Sequence, residues 1–162
     1  MKMAVALVVA GLVLSAGVAV ACTQTDGIVF NPIPGSSTPG SPASRLPLSE
    51  SVSGDHELYL SGHIGNVQPG QPVVTGGIPA EARQTMENIK AALAAQGLTY
   101  ADVVKCTVFL ADIAEWGDFN KVYTEFFTKP YPARSALGAS GLALGARVEV
   151  ECMAYTPRAN HR

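Results

Sequence analysis

The chain opens on an apolar run. After Met1-Lys2-Met3, positions Ala4 to Ala21 carry no charge, and only Gly11, Ser15 and Gly17 interrupt a series of Val, Leu and Ala. That length is near the minimum for crossing a bilayer, which takes roughly 17–25 apolar residues. Ala19-Val20-Ala21 closes the run with small residues of the A-x-A type, and no basic stop-transfer cluster follows. Residues 1–21 therefore read as a signal peptide rather than a retained anchor. The mature protein is expected outside the cytoplasm, in the periplasm or cell envelope. From 22 to 44 the pattern vanishes: Asn31 to Ser44 is almost entirely Pro, Gly, Ser and Thr without charge, the composition of a flexible tether.

Residues 45–162 carry the periodicities of a folded domain. Glu57–Ile64 reads as a strand, with Leu48–Val52 as a hairpin partner across the Ser53-Gly54-Asp55 turn. A loop follows over 65–77, holding at most a short strand at Val73-Val74. Ala82, Met86, Ile89 and Leu93 recur at helical spacing and predict a helix over 79–96, with Pro79 in its first turn and Gly97 at its C-terminal cap. Val103–Leu110 reads as a strand whose even positions, Val104, Cys106, Val108 and Leu110, are all apolar. Asp112 and Glu115 have the spacing of a reciprocal N-cap for a second helix. Its stripe of Trp116, Phe119, Tyr123, Phe126 and Phe127 reads as core, and Pro130 ends it. Ala133–Ala139 and Arg147–Tyr155 read as strands joined in a hairpin by the turn from Gly141 to Gly145. The order predicts an α+β fold, a mixed sheet with both helices on one face. The other face, carrying Lys105, Glu149 and Glu151 among apolar groups, is expected to meet another subunit.

Composition narrows the function. The formal net charge is −2 with no basic block, which argues against a nucleic-acid partner. No nucleotide-binding loop, zinc-type cysteine pair or His-Glu-x-x-His helix occurs. Cys106 and Cys152, inside apolar strand patterns, read as small buried hydrophobes more than as a disulfide, with that pairing left open. Cys22, directly after the cleavage position, stands in a sequence that looks like a bacterial lipobox, although Ala19 sits where Leu is usual. A lipid on Cys22 is the expected link to a membrane, because a bare thiol there would be reactive in an oxidising compartment.

Candidate chemistry is sparse. Ser61-Gly62 lacks the small-residue elbow of a hydrolase nucleophile, and His63 reads as a polar rim residue near a strand end. His56 and His161 fall in a turn and at the tail. Arg134 and Glu149 are the stronger pair, one on each strand of the expected hairpin. A guanidinium grips a carboxylate through two parallel hydrogen bonds, and a carboxylate orients water and accepts its proton. A structural ion pair between subunits is the equally weighted alternative.

Five segments in order, Leu58–Ile64, Glu87–Lys90, Val103–Leu110, Pro132–Ser135 and Val148–Glu151, resemble successive blocks of the RidA/YjgF family. The resemblance implies a chorismate-mutase-like α+β domain that forms a homotrimer with ligand sites between subunits. It also implies hydrolysis of enamine and imine intermediates, of the 2-iminobutanoate and 2-iminopropanoate type, to 2-keto acids and ammonia. Arg134 would hold the substrate carboxylate, and Glu149 with the carbonyl of Ala136 would position water. Ser61 and the backbone around Gly62 would line the pocket, and no cofactor is implied. The family's N-terminal tyrosine is replaced by Leu48 and a frequent cysteine by Ala136. The other reading is non-catalytic binding of small carboxylated ligands or protein partners in the same clefts of an extracytoplasmic trimer.

Overall fold

A computed structural model describes residues 27–156; the expected signal peptide, Cys22 and His161 lie outside them. Seven strands form one sheet: β1 (Val29–Asn31), β2 (Ser51–Ser53), β3 (Glu57–Leu60), β4 (His63–Ile64), β5 (Val103–Leu110), β6 (Ala133–Gly138) and β7 (Val148–Tyr155). Helix α1 spans Gly77–Ala95 and α2 spans Trp116–Phe126. The spatial order is β1-β2-β3-β7-β5-β6, with β4 also on β7, and only β5 and β6 run parallel. The expected mixed sheet is present.

Both helices cover one face. Met86, Ile89 and Leu93 of α1 and Phe119, Val122 and Tyr123 of α2 share a core with Leu58, Val108, Leu110, Val148 and Val150 of the sheet. Each large apolar side chain buried there contributes about 1.5–3 kcal/mol. Helical spacing in α1 and strict alternation in β7 specify this packing directly.

Several local expectations change. β6 and β7 are not a hairpin, because β5 lies between them and pairs with both. The chain leaves β5, crosses the sheet through α2 and returns as the parallel edge strand β6, the connection that parallel pairing demands. The turn back to β7 passes Leu144 at φ 56° and Gly145 at φ 70°, left-handed positions that a two-strand hairpin expectation did not anticipate. The expected strand 57–64 breaks at Ser61-Gly62. Four steps from Tyr59 to His63 match three from Met153 to Val150 on β7, so one extra residue bulges out. A register shift between Val103 and Lys105 turns Val104 out of the apolar face, leaving it 50% exposed.

Asp112 caps a short 3-10 turn, Ile113–Glu115, by accepting from the Ala114 N–H at 2.9 Å, but Glu115 does not reciprocate because its carboxylate pairs with Arg147. Trp116, expected in the core, is 46% exposed at the start of α2.

The segment read as a tether is laid onto the domain from residue 27 onward. β1 pairs with β2, and Ile33 and Ala43 are buried. Turns closed by Ser36, Thr38 and Ser41 N–H groups satisfy the Pro- and Gly-rich stretch between them. Strand pairing and two apolar anchors outweigh a composition that taken alone favours disorder.

Cys106 and Cys152 face each other in the β5–β7 register and form a disulfide with an S–S distance of 2.02 Å. Their reading as separate buried thiols is therefore corrected. Directly opposed positions on neighbouring antiparallel strands bring the two sulfurs together, and a register cannot be read from cysteine spacing.

A candidate active site in two halves

Glu149 stands between buried Val148 and Val150 and projects from the face away from the helices. The start of its strand is fixed from three sides. The Arg147 N–H donates to Glu81 Oε2 at 2.8 Å, the Ala111 N–H donates to the Arg147 carbonyl, and the Arg147 guanidinium donates to both Glu115 oxygens. Gly62, in the bulge, packs so closely on Glu149 that a Cβ there would fall 2.0 Å from Oε1. A side chain at position 62 would have to displace the Glu149 carboxylate. Burial pushes the Glu149 carboxyl above the ordinary carboxylate range, Glu151 pushes it further, and His63 draws it back. A carboxylate so placed is a stronger base than one in water.

Glu149, Ser61 and Gly62 line a cavity of about 830 Å³. Ile33, Leu46 and Leu48 supply part of its apolar wall, so the N-terminal segment closes one side. The Ser61 hydroxyl donates to the Ser49 carbonyl at 2.7 Å. That bond ties the bulge to the chain before β2 and makes Ser61 a structural residue of the rim.

Arg134 lies elsewhere. On β6 it is level with Cys106, which is level with Cys152 on β7, so its side chain leaves the sheet on the helix side, opposite to Glu149. Its guanidinium carbon sits 4.6 Å from the Tyr123 ring centroid and 6.0 Å from that of Trp116, both on α2. Cation–π contact holds the group flat while leaving its N–H edges for a ligand. Arg134 has no ion-pair partner among the described residues. Ala136, two residues on, shares its side of β6 and packs against the core. Within one chain the candidate residues thus fall into two groups on opposite faces of the sheet.

Two further polar groups join the Arg134 half. Trp116, Asn120 and Tyr123 follow each other along one face of α2. The buried Asn120 Oδ1 and the Tyr123 hydroxyl have no hydrogen-bond partner among the described residues. Burial pushes the Tyr123 phenol up to about 12, with Arg134 pulling the other way, so it is a neutral hydroxyl at neutral pH. Sequence reasoning placed Tyr123 and Trp116 in a core stripe and passed over Asn120. A polar residue on the same helical face as two aromatics was the available signal.

The family model described as Endoribonuclease L-PSP matches residues 38–156. The chain is 40% identical over 118 residues to a 2-iminobutanoate/2-iminopropanoate deaminase of Bos taurus, an alignment covering 73% of this chain and 86% of that protein. It is 37% identical to the Homo sapiens protein of the same name, with the same coverage. Among solved structures, RidA from an Antarctic Psychrobacter superposes with a TM-score of 0.65 at 31% identity, over 83% of this chain and 98% of that one. Yeast Mmf1 gives 0.68 at 30% identity, over 79% and 99%. Sequence blocks, sheet order and these matches agree, and the chain belongs to the RidA/YjgF family.

Proposed function

We propose that this protein hydrolyses the C=N bond of small 2-imino carboxylates, and of the enamines that tautomerise to them, giving 2-keto acids and ammonia. The observation that carries this reading is the separation of Arg134, a cation without an ion-pair partner among the described residues, from a partly buried base, Glu149, on opposite faces of the sheet. A carboxylated imine needs both, so the complete site lies where the Arg134 surface of one copy meets the Glu149 cavity of the next. The names of the relatives support the same substrate class.

In this site Arg134 binds the substrate carboxylate through two parallel N–H···O bonds, and Asn120 and Tyr123 offer polar contacts beside it. Glu149 takes a proton from water as the oxygen attacks the imine carbon. The C=N π pair moves to nitrogen, which takes that proton from Glu149. The hydroxyl proton of the resulting carbinolamine then passes by way of Glu149 to the amino nitrogen, the C=O bond forms as the C–N bond breaks, and ammonia departs from the keto acid. Export fits the cross-link between Cys106 and Cys152, because structural disulfides persist in oxidising compartments. A lipid on Cys22 would hold the domain at a membrane.

The test uses imino acids generated in place by an amino-acid oxidase. Arg134→Ala and Glu149→Gln should each abolish the acceleration of keto-acid release. Co-expression of the two variants should restore about a quarter of the wild-type rate, since random assembly pairs one intact half with the other at that frequency. No acceleration by the wild type with any imino acid would refute hydrolysis and leave carboxylate binding as the role of the cleft. Acceleration without recovery in mixed assemblies would refute the shared site.

A further inference from the structure

The cavity that holds Glu149 is far larger than a three-carbon imino acid. Cavities of roughly 300–1,000 Å³ enclose drug-sized ligands, and this one is about 830 Å³. In the proposed reaction Arg134 takes the carboxylate and Glu149 activates water for the C=N carbon. Only the side chain of the substrate is left to meet the remaining walls, and those walls are apolar. Ile33, Leu46 and Leu48 come from the N-terminal segment, Val67 from the loop after β4, and Leu144 from the turn before β7. Leu46, Leu48, Val67 and Leu144 are each at least 36% exposed, so large apolar side chains from three separate segments stand open around one cavity.

The chain holds these walls in place. Ile33 and Ala43 are buried and fix the N-terminal segment. That segment meets the loop where a Cβ on Gly70 would fall 2.7 Å from the Cβ of Pro42. The Asn88 amide of α1 donates to the Ile64 and Asn66 carbonyls at 2.9 and 2.7 Å, and the Val74 N–H donates to the Gly65 carbonyl at 2.7 Å, pinning the loop at both ends. Leu144 is held at a cost. Its φ of 56° lies in the left-handed region, which disfavours any residue with a β-carbon, and at 55% exposure no core packing offsets that. Strained positions of this kind cluster where ligands bind. Ile33 and Pro34, moreover, line the cavity yet precede residue 38, where the match to the family model begins. The lining also carries two carboxylates, Glu50 and Glu149, against one guanidinium, Arg45, so formal charge disfavours a second carboxylate on the substrate.

We propose that Ile33, Leu46, Leu48, Val67 and Leu144 form a side-chain pocket selecting 2-imino carboxylates with large apolar side chains, branched or aromatic, over short or acidic ones. The kinetic form of this selection rests on the hydrolysis proposed above; the binding form does not.

The test compares keto-acid release from the imino acids of leucine, phenylalanine, alanine and glutamate, each made in place by an amino-acid oxidase. In the mature protein kcat/KM for the leucine or phenylalanine derivative should exceed that for the alanine derivative about tenfold or more, as extra methylenes in an apolar pocket give. Leu144→Gly and Leu46→Ala should each cut that preference about threefold or more. Val104→Ala, which alters an exposed apolar residue outside the cavity, should keep it. Leu144→Gly should melt within a few degrees of the wild type, because glycine accepts the left-handed backbone; should it fail to fold, Leu46→Ala decides. Equal kcat/KM for all four side chains, or a preference for the glutamate derivative, would overturn the proposal. So would a Leu144→Gly protein that keeps the preference and loses self-association, since the leucine would then serve a contact between copies. If the wild type accelerates no imino acid, hydrolysis fails, and calorimetric titration with the keto acids of leucine and alanine still judges the pocket. Tighter binding of the larger acid, lost in Leu144→Gly, supports it, and equal affinities overturn it.

Discussion

Two glycines separated by three positions make opposite demands. At Gly62 an added Cβ meets the Glu149 side chain, 2.0 Å from Oε1 and 2.9 Å from Cδ. At Gly65 it meets the α1 backbone, 2.8 Å from both Cα and O of Glu81. A side chain rotates aside, whereas a packed helix does not. Gly62→Ala should therefore keep its melting temperature within a few degrees and lose tenfold or more in kcat/KM, because displacing a catalytic group by about 1 Å costs up to 10²-fold. Gly65→Ala should instead lose about 1–3 kcal/mol in urea unfolding, the usual cost of overpacking. Equal activity in Gly62→Ala and wild type would dismiss Glu149 as the base.

At the scale of elements, the disulfide joins β5 to β7, the two central strands, across a sequence separation of 46 residues. Closing a loop of that size removes about 4 kcal/mol of denatured-state entropy on the chain-entropy account. Cys106→Ala with Cys152→Ala should then lower unfolding stability by about 2–4 kcal/mol. Two free thiols in the mass spectrum of the native protein would contradict the bond. The sequence reveals α1 and β7 well, since Met86-Ile89-Leu93 and Val148-Val150-Cys152 repeat at the helix and strand periods. Pairing is not written locally in the same way. That Arg134 and Glu149 leave opposite faces follows from α2 carrying the chain past β5 before β6 forms, and no window of residues around either one contains that fact. The same holds for Cys106 with Cys152, and for Ile33 and Ala43, whose burial depends on a distant partner surface. His63 was visible as a polar residue near a strand end, whereas its contact with Glu50 forms only across the pairing of distant segments.

The described residues form one sheet with helices on one side and a segment, from residue 27 to β2, wrapped along its edge and across the Glu149 cavity. The segment joins the expected export region to the wall of the candidate site without an intervening free spacer among the described residues. The placement of the two half-sites carries a further consequence, one of symmetry. A two-fold contact presents the same patch of each partner to the other, and one patch does not span both faces of a sheet. A contact that unites Arg134 with Glu149 is therefore head-to-tail, and head-to-tail contacts either close into a ring or continue as a fibre. In a closed ring every chain lends one half forward and one half backward, so sites equal chains and none is left open. Dilution then becomes an inhibitor. Specific activity should fall with the dissociation curve measured by sedimentation, and a lone chain carrying every residue of the site should turn over nothing.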